Sequence, residues 1–208
     1  MKKVLWWIAS VAIVVCLGAS SASAAGFGVY GSLGSGSADW TLDDWSSSPN
    51  ITFDTDSGHQ GAGFVLDTAV AKDSFFNYQL NMGYDKFTNK RVGSGEKFEL
   101  SGLMISNAFG FGIVRTPGFR MWMGPEIRLA WPNGSKDGVD YDFFGIGVGP
   151  VLGMNFNLPG TVTFAVKAGY QFMNYTGEAN ASSADYDINE KMIYVNIGIL
   201  FRSSGDFF

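Results

Sequence analysis

The sequence predicts an all-β fold, an eight-stranded antiparallel up-and-down transmembrane β-barrel. Three observations carry that expectation. Apolar residues recur at every second position in eight separate runs. The segments between the runs alternate between long, polar stretches and very short turns. A leader of secretory type precedes them all.

The leader has a positive start at Lys2 and Lys3, an apolar stretch from Val4 to Gly18, and small residues at Ala22-Ser23-Ala24. Cleavage is expected before Ala25, making 1–24 a signal peptide and 25–208 the barrel domain. The apolar stretch is shorter than the ~20 residues a spanning helix needs. Cys16 follows Val15, where a lipoprotein signal requires a small residue. The exported chain would hold 184 residues, enough for one domain. Losing Lys2 and Lys3 leaves 12 basic against 19 acidic residues, a formal charge of −7. That balance argues against a nucleic-acid partner, and no cysteine remains for a disulfide. No later stretch approaches eighteen consecutive apolar residues, which excludes a helical membrane protein. The 46% apolar content, 28 glycines and 15% aromatics instead suit a wall whose hydrophobicity is hidden by alternation.

The first run, Gly26 to Trp40, sets Phe27, Val29 and Leu33 against Tyr30 and Ser32. The second, near Gly61 to Lys72, sets Phe64, Leu66 and Val70 against Gly63, Val65, Asp67 and Ala69. The third is the most regular: Phe76, Tyr78, Leu80, Met82 and Tyr84 alternate with Asn77, Gln79, Asn81, Gly83 and Asp85. The fourth, Lys97 to Arg115, changes parity, which predicts a bulge near Asn107. The fifth opposes Met121, Met123, Ile127 and Leu129 to Trp122, Glu126 and Arg128. The sixth opposes Phe144, Ile146, Val148, Leu152 and Met154 to Gly145, Gly147, Gly149 and Asn155. The seventh sets Val162, Phe164, Val166 and Tyr170 against Thr163, Lys167 and Gln171. The eighth sets Ile193, Val195, Ile197, Ile199 and Phe201 against Tyr194, Asn196 and Gly198. In a membrane barrel the first set of each run faces lipid and the second faces the lumen. Pro125 and Pro150 interrupt two runs, and each follows a glycine, which predicts paired local bulges.

Long connections are expected at 41–58, 88–96, 132–139 and 176–189, and short turns at Asp73-Ser74, Thr116-Pro117-Gly118 and Leu158-Pro159-Gly160. That alternation, with an even strand count, places long loops outside and both termini in the periplasm. An eight-stranded barrel is just wide enough inside for side chains to fill it. Its inward Asp67, Glu126, Arg128, Lys167 and Gln171 carry both signs of charge, so a hydrogen-bonded polar network is expected. That network either plugs the lumen or lines a narrow channel, since the many inward glycines leave room for water.

From GFGVYG at Gly26 to NIGILF ending at Phe201, the chain resembles the small eight-stranded outer-membrane barrels of the OmpA, OmpX and OmpW kind. The resemblance implies a Gram-negative outer-membrane location, contact with outer-membrane lipids and lipopolysaccharide, and insertion by a barrel-assembly machinery. That machinery reads a terminal aromatic strand, here ending at Phe201 or, past the RSSGDFF tail, at Phe208. A monomer is expected, with a structural or surface-interaction role. A small porin for small or hydrophobic solutes is the alternative, and a lipid A-modifying enzyme a remote one.

The enzyme reading would rest on His59, the sole histidine, near Ser57, Asp54 and Asp56. The His-x-Ser spacing of lipid A deacylases is absent, because Gly61 stands two residues on, so His59 reads as a solvated loop residue. No catalytic residue, cofactor or metal is assigned. Asp54-Thr55-Asp56-Ser57-Gly58 has half the pattern of a calcium loop but no third ligand. Acidic residues crowd the first, third and fourth loops; the second carries Lys86, Lys90, Arg91 and Lys97, suited to lipopolysaccharide phosphates. Trp40, Trp45, Trp131, Tyr141 and Tyr175 are expected to anchor the outer interface.

Overall fold

The computed structural model describes residues 25–43, 51–70, 73–180 and 185–202. The leader, Asp44, Trp45 and the tail beyond Arg202 lie outside the described residues. Eight strands follow in order: β1 Gly26–Asp43, β2 Ile51–Asp67, β3 Phe76–Arg91, β4 Lys97–Arg115, β5 Phe119–Lys136, β6 Val139–Asn157, β7 Val162–Ala179 and β8 Asp185–Arg202. Each pairs antiparallel with the next, and β8 closes on β1, Gly26 opposite Arg202. Closure leaves no edge, which a sheet in hydrocarbon requires because an unpaired amide there costs several kcal/mol.

The period-two patterns set the faces as expected. Phe27, Val29 and Leu33 point outward while Tyr30 and Ser32 are buried. Along β8, Ile193 and Ile197 are 62% and 61% exposed between Tyr194 and Asn196, which are nearly inaccessible. An apolar wall this exposed belongs against lipid.

The strands are longer than the apolar runs. β2 begins at Ile51 rather than near Gly61, and β5 and β6 are joined by Asp137 and Gly138 alone. Their φ values of 53° and 81° make the mirror-image turn that suits a two-residue hairpin. Within the described residues the expected loops at 41–58 and 132–139 are therefore strand, apart from the Asp137-Gly138 turn. Their Asp, Ser, Thr and Gly residues lack an apolar period because neither face there meets lipid. Val70, expected on the lipid face, instead follows the end of β2 and turns inward with Tyr30, Val65 and Leu200.

β4 keeps one parity past Asn107, so no bulge forms there; the register shifts between Gly112 and Val114. Asn107 points outward and accepts a hydrogen bond from the Tyr78 hydroxyl at 2.5 Å. The prolines form no bulges either. Pro125 and Pro150 stand directly opposite each other. On the outer flanks the pairing lapses and resumes in the same register, from Ala108↔Glu126 to Phe111↔Met123 and from Val148↔Phe172 to Val151↔Gly169. The missing N–H groups thus face β4 and β7. The carbonyls of Phe109 and Tyr170 lean over Gly124 and Gly149, where a Cβ would overlap them, which is why glycine precedes each proline.

Outside and inside exchange character along the barrel. From the end bearing Gly26 and Arg202, each strand shows about nine residues of apolar outer face, some 23 Å of height at a ~40° tilt. That matches the ~25 Å band of a membrane barrel. Beyond it the outer face turns polar, as in Ser35, Ser37, Asp39 and Thr41 of β1. The lumen does the reverse. Within the apolar band it holds most of the buried polar groups, beside small apolar clusters around Leu200 and Trp122, and beyond the band Trp40, Phe87, Leu100, Phe143, Ile188 and Met192 form one larger buried cluster. Past the lipid, water covers the outer face, so the barrel needs an ordinary hydrophobic core.

Candidate functional site in the lumen

Four of the five lumen residues expected from sequence converge. Glu126 of β5 is fully buried and accepts from four donors: Lys167 Nζ at 2.6 Å, the Tyr194 hydroxyl at 2.7 Å, Gln171 Nε2 at 3.1 Å and Arg128 Nη2 at 3.3 Å. Lys167 also donates to Asn81 Oδ1 at 3.2 Å. The Arg128 guanidinium lies over the Tyr194 ring, 4.2 Å from its centroid. Buried charge is tolerated only with such pairing and saturation of lone pairs.

The fifth, Asp67, belongs to a separate layer nearer the chain termini. It accepts from the Ala69 amide at 2.9 Å and from Gln79 Nε2 and Asn155 Nδ2 at 3.3 Å each. In the same region Arg120 donates to Asn77 Oδ1, and Arg202 donates to the carbonyls of Leu158 and Gly160. Among the described residues the buried acidic and basic side chains are equal in number: Arg120, Arg128, Lys167 and Arg202 against Asp67, Asp85, Glu126 and Glu190, with His59 beside Asp85.

His59 is not a solvated loop residue. It lies in β2, 5% exposed, with Nε2 2.7 Å from Asp85 Oδ2 and its ring 5.1 Å from Phe87. The segment that carries it is extended, so Asp54 and Asp56 share the outer face while Thr55 and Ser57 face the lumen. No loop wraps there as a calcium loop would. Among the described residues, no group of three His, Cys, Asp or Glu side chains is arranged to hold a metal.

Aromatic rings cover several of the inward glycines. A Cβ on Gly153 would overlap the Trp122 indole, one on Gly145 the Tyr175 ring, and one on Gly177 the Phe143 ring. Towards the loop end, Trp40 stacks on Phe53 at 5.7 Å and meets Phe98 and Phe143 edge-on at 5.1 and 5.9 Å. Trp40 and Tyr175, expected at the outer interface, are therefore inside the barrel; the Tyr175 hydroxyl donates to Glu190 at 3.2 Å. Tyr141 packs on the same cluster, and of the four expected anchors among the described residues only Trp131 faces outward, against Phe144. Parity alone marked Asn81, Asp85 and Tyr194 as inward; nothing in the sequence marked which of them meet.

No protein-family model matches the chain, and no curated protein sequence matches it. Solved structures do. The outer membrane protein OprG from Pseudomonas aeruginosa aligns with a TM-score of 0.59 at 12% identity, covering 84% of this chain and 95% of that one. Neisserial surface protein A aligns at 0.40 with 13% identity, over 81% and 96%. The outer membrane protease OmpT from Escherichia coli aligns at 0.42 with 9% identity, over 88% and 97%. The chain has the eight-stranded fold of outer-membrane β-barrels.

Proposed function

We propose that this protein is a non-enzymatic barrel of the Gram-negative outer membrane, with a closed lumen and a structural or surface-interaction role. The observation that carries this reading is that the lumen is filled at two levels, by the Glu126 network and by the Trp40 aromatic cluster. Both termini are periplasmic in this reading. The polar-walled section then rises roughly 20 Å above the outer leaflet, from seven or eight tilted residues per strand. Outer-membrane lipids cover the apolar wall. The strand ending at Phe201 is what the assembly machinery engages. The burial of His59 supports the absence of catalysis, since no substrate carbonyl reaches it.

Conductance and solute-driven swelling of lipid vesicles holding the refolded protein test the reading. Traces indistinguishable from empty vesicles are expected; clear permeation by ions or small sugars would overturn the closed lumen in favour of a small porin. Unchanged lipid A in cells expressing the protein is expected alongside.

A further inference from the structure

The protruding section separates its charges around the barrel. Five neighbouring strands, β6, β7, β8, β1 and β2, carry exposed carboxylates on the outer face, and several oppose one another in register. Asp142 faces Glu178, Glu178 faces Asp185, and Asp39 faces Asp54. Among the described residues Lys191 of β8, just above the apolar wall, is the one exposed cation on those five strands; the remaining arc carries the others, with Lys90 of β3 directly opposite Lys97 of β4. Like charges so placed destabilise a sheet. Lys86 and Lys136 are each matched within the chain, to Glu99 and Glu96. Among the described residues neither the acidic arc nor Lys90 and Lys97 forms an ion pair. In a ring of eight strands, β4 stands across from β8.

We propose that this partition is an interface between copies of this chain, the Lys90–Lys97 arc of one barrel against the β7–β8 carboxylates of the next. The proposal rests on insertion in an outer membrane, as read above. Insertion fixes every copy at the same height, so arcs at the same level meet without further ordering. The contact joins two different patches about half a turn apart, so it propagates as rows rather than closing into a ring. Those rows go beyond the monomer that a closed barrel alone would suggest.

The test mixes 14N- and 15N-labelled protein refolded into phosphatidylcholine vesicles with EDTA, without lipopolysaccharide. A zero-length carbodiimide then joins amines to carboxylates in contact, and mass spectrometry reads links between the two isotopes. Links from Lys90 or Lys97 to Glu178, Asp185 or Asp187 are expected, the Glu178 link falling about tenfold in D185K/D187K, while K90E/K97E, which has no amine at either position, is the blank. An equimolar mixture of those two variants, each self-repelling, restores the links. Absence of links in the wild type, an undiminished Glu178 link in D185K/D187K, or links only when lipopolysaccharide and magnesium are added would overturn the proposal. Heat-modifiable migration of each sample reports insertion separately, so an unfolded variant is replaced by the wild type in high salt, where the same loss is expected.

Discussion

Lys167 Nζ and Glu126 Oε2 lie 2.6 Å apart at the centre of the barrel, on strands β7 and β5, which are not neighbours. The pair spans the lumen rather than following the wall. Removing either partner leaves the other as an uncompensated buried charge, which costs about 3–5 kcal/mol. Glu126→Leu and Lys167→Met should each lose that much in urea unfolding from lipid vesicles. The double variant should lose far less than the sum, because it leaves only Arg128 unmatched. Additive losses would show that the two groups do not interact.

The rings that cover the glycines give a second prediction. Gly153→Ala pushes a methyl into the Trp122 indole, whose ring cannot bend aside. Overpacking of this kind costs about 1–3 kcal/mol. Trp122→Leu in the same chain should recover part of it, since the smaller side chain vacates the space. A Gly153→Ala variant as stable as the parent would mean that the lumen is looser than described.

The two-level filling predicts what single variants do to permeation. Trp40→Ala removes the centre of the aromatic cluster and should cost about 3–5 kcal/mol. Vesicles holding it should still pass no ions, because the Glu126 network closes the lumen independently. Conductance from Trp40→Ala alone would assign the seal to the aromatic cluster only.

Strand number and faces were legible because lipid imposes period two wherever it touches the wall. Legibility ended where lipid ends. Residues such as Asp54, Asp56 and Asn133 are in strands but read as loop, since water on their outer face removes the contrast. Trp40 and Tyr175 read as interface anchors because aromatic residues near strand ends usually are. Only the exchange of inside and outside explains why they point inward. The pairing of Asp67 with Gln79 and Asn155, rather than with Glu126's partners, depends on strand stagger, which no single sequence displays.

At the loop end, the hydrogen bond and charge of Lys136 hold the Glu96 carboxyl below the usual carboxylate range. A lowered folded pKa contributes stability above the unfolded value that is lost as pH falls through the folded one. NMR titration of the Glu96 side chain should therefore show protonation at lower pH than in an unfolded peptide. Lys136→Ala should return it to the ordinary value. An unchanged titration in Lys136→Ala would remove the interaction.

His59 separates the sequence reading from the structure most sharply. A solvated loop histidine would tolerate replacement within about 0.5 kcal/mol. Buried beside Asp85 and against Phe87, it should not. His59→Ala leaves the Asp85 carboxylate facing an apolar gap, and a buried polar group deprived of its partner costs about 1–3 kcal/mol, more when charged. Asp85→Asn should soften that loss when combined with His59→Ala, because the neutral amide is cheaper to bury alone. As the chain has one histidine, its imidazole signals report this site without ambiguity. Slow exchange of the Nε2 proton with solvent is expected in the wild type, and faster exchange in Asp85→Ala. A stability change near zero in His59→Ala, with rapid proton exchange in the wild type, would return His59 to the surface.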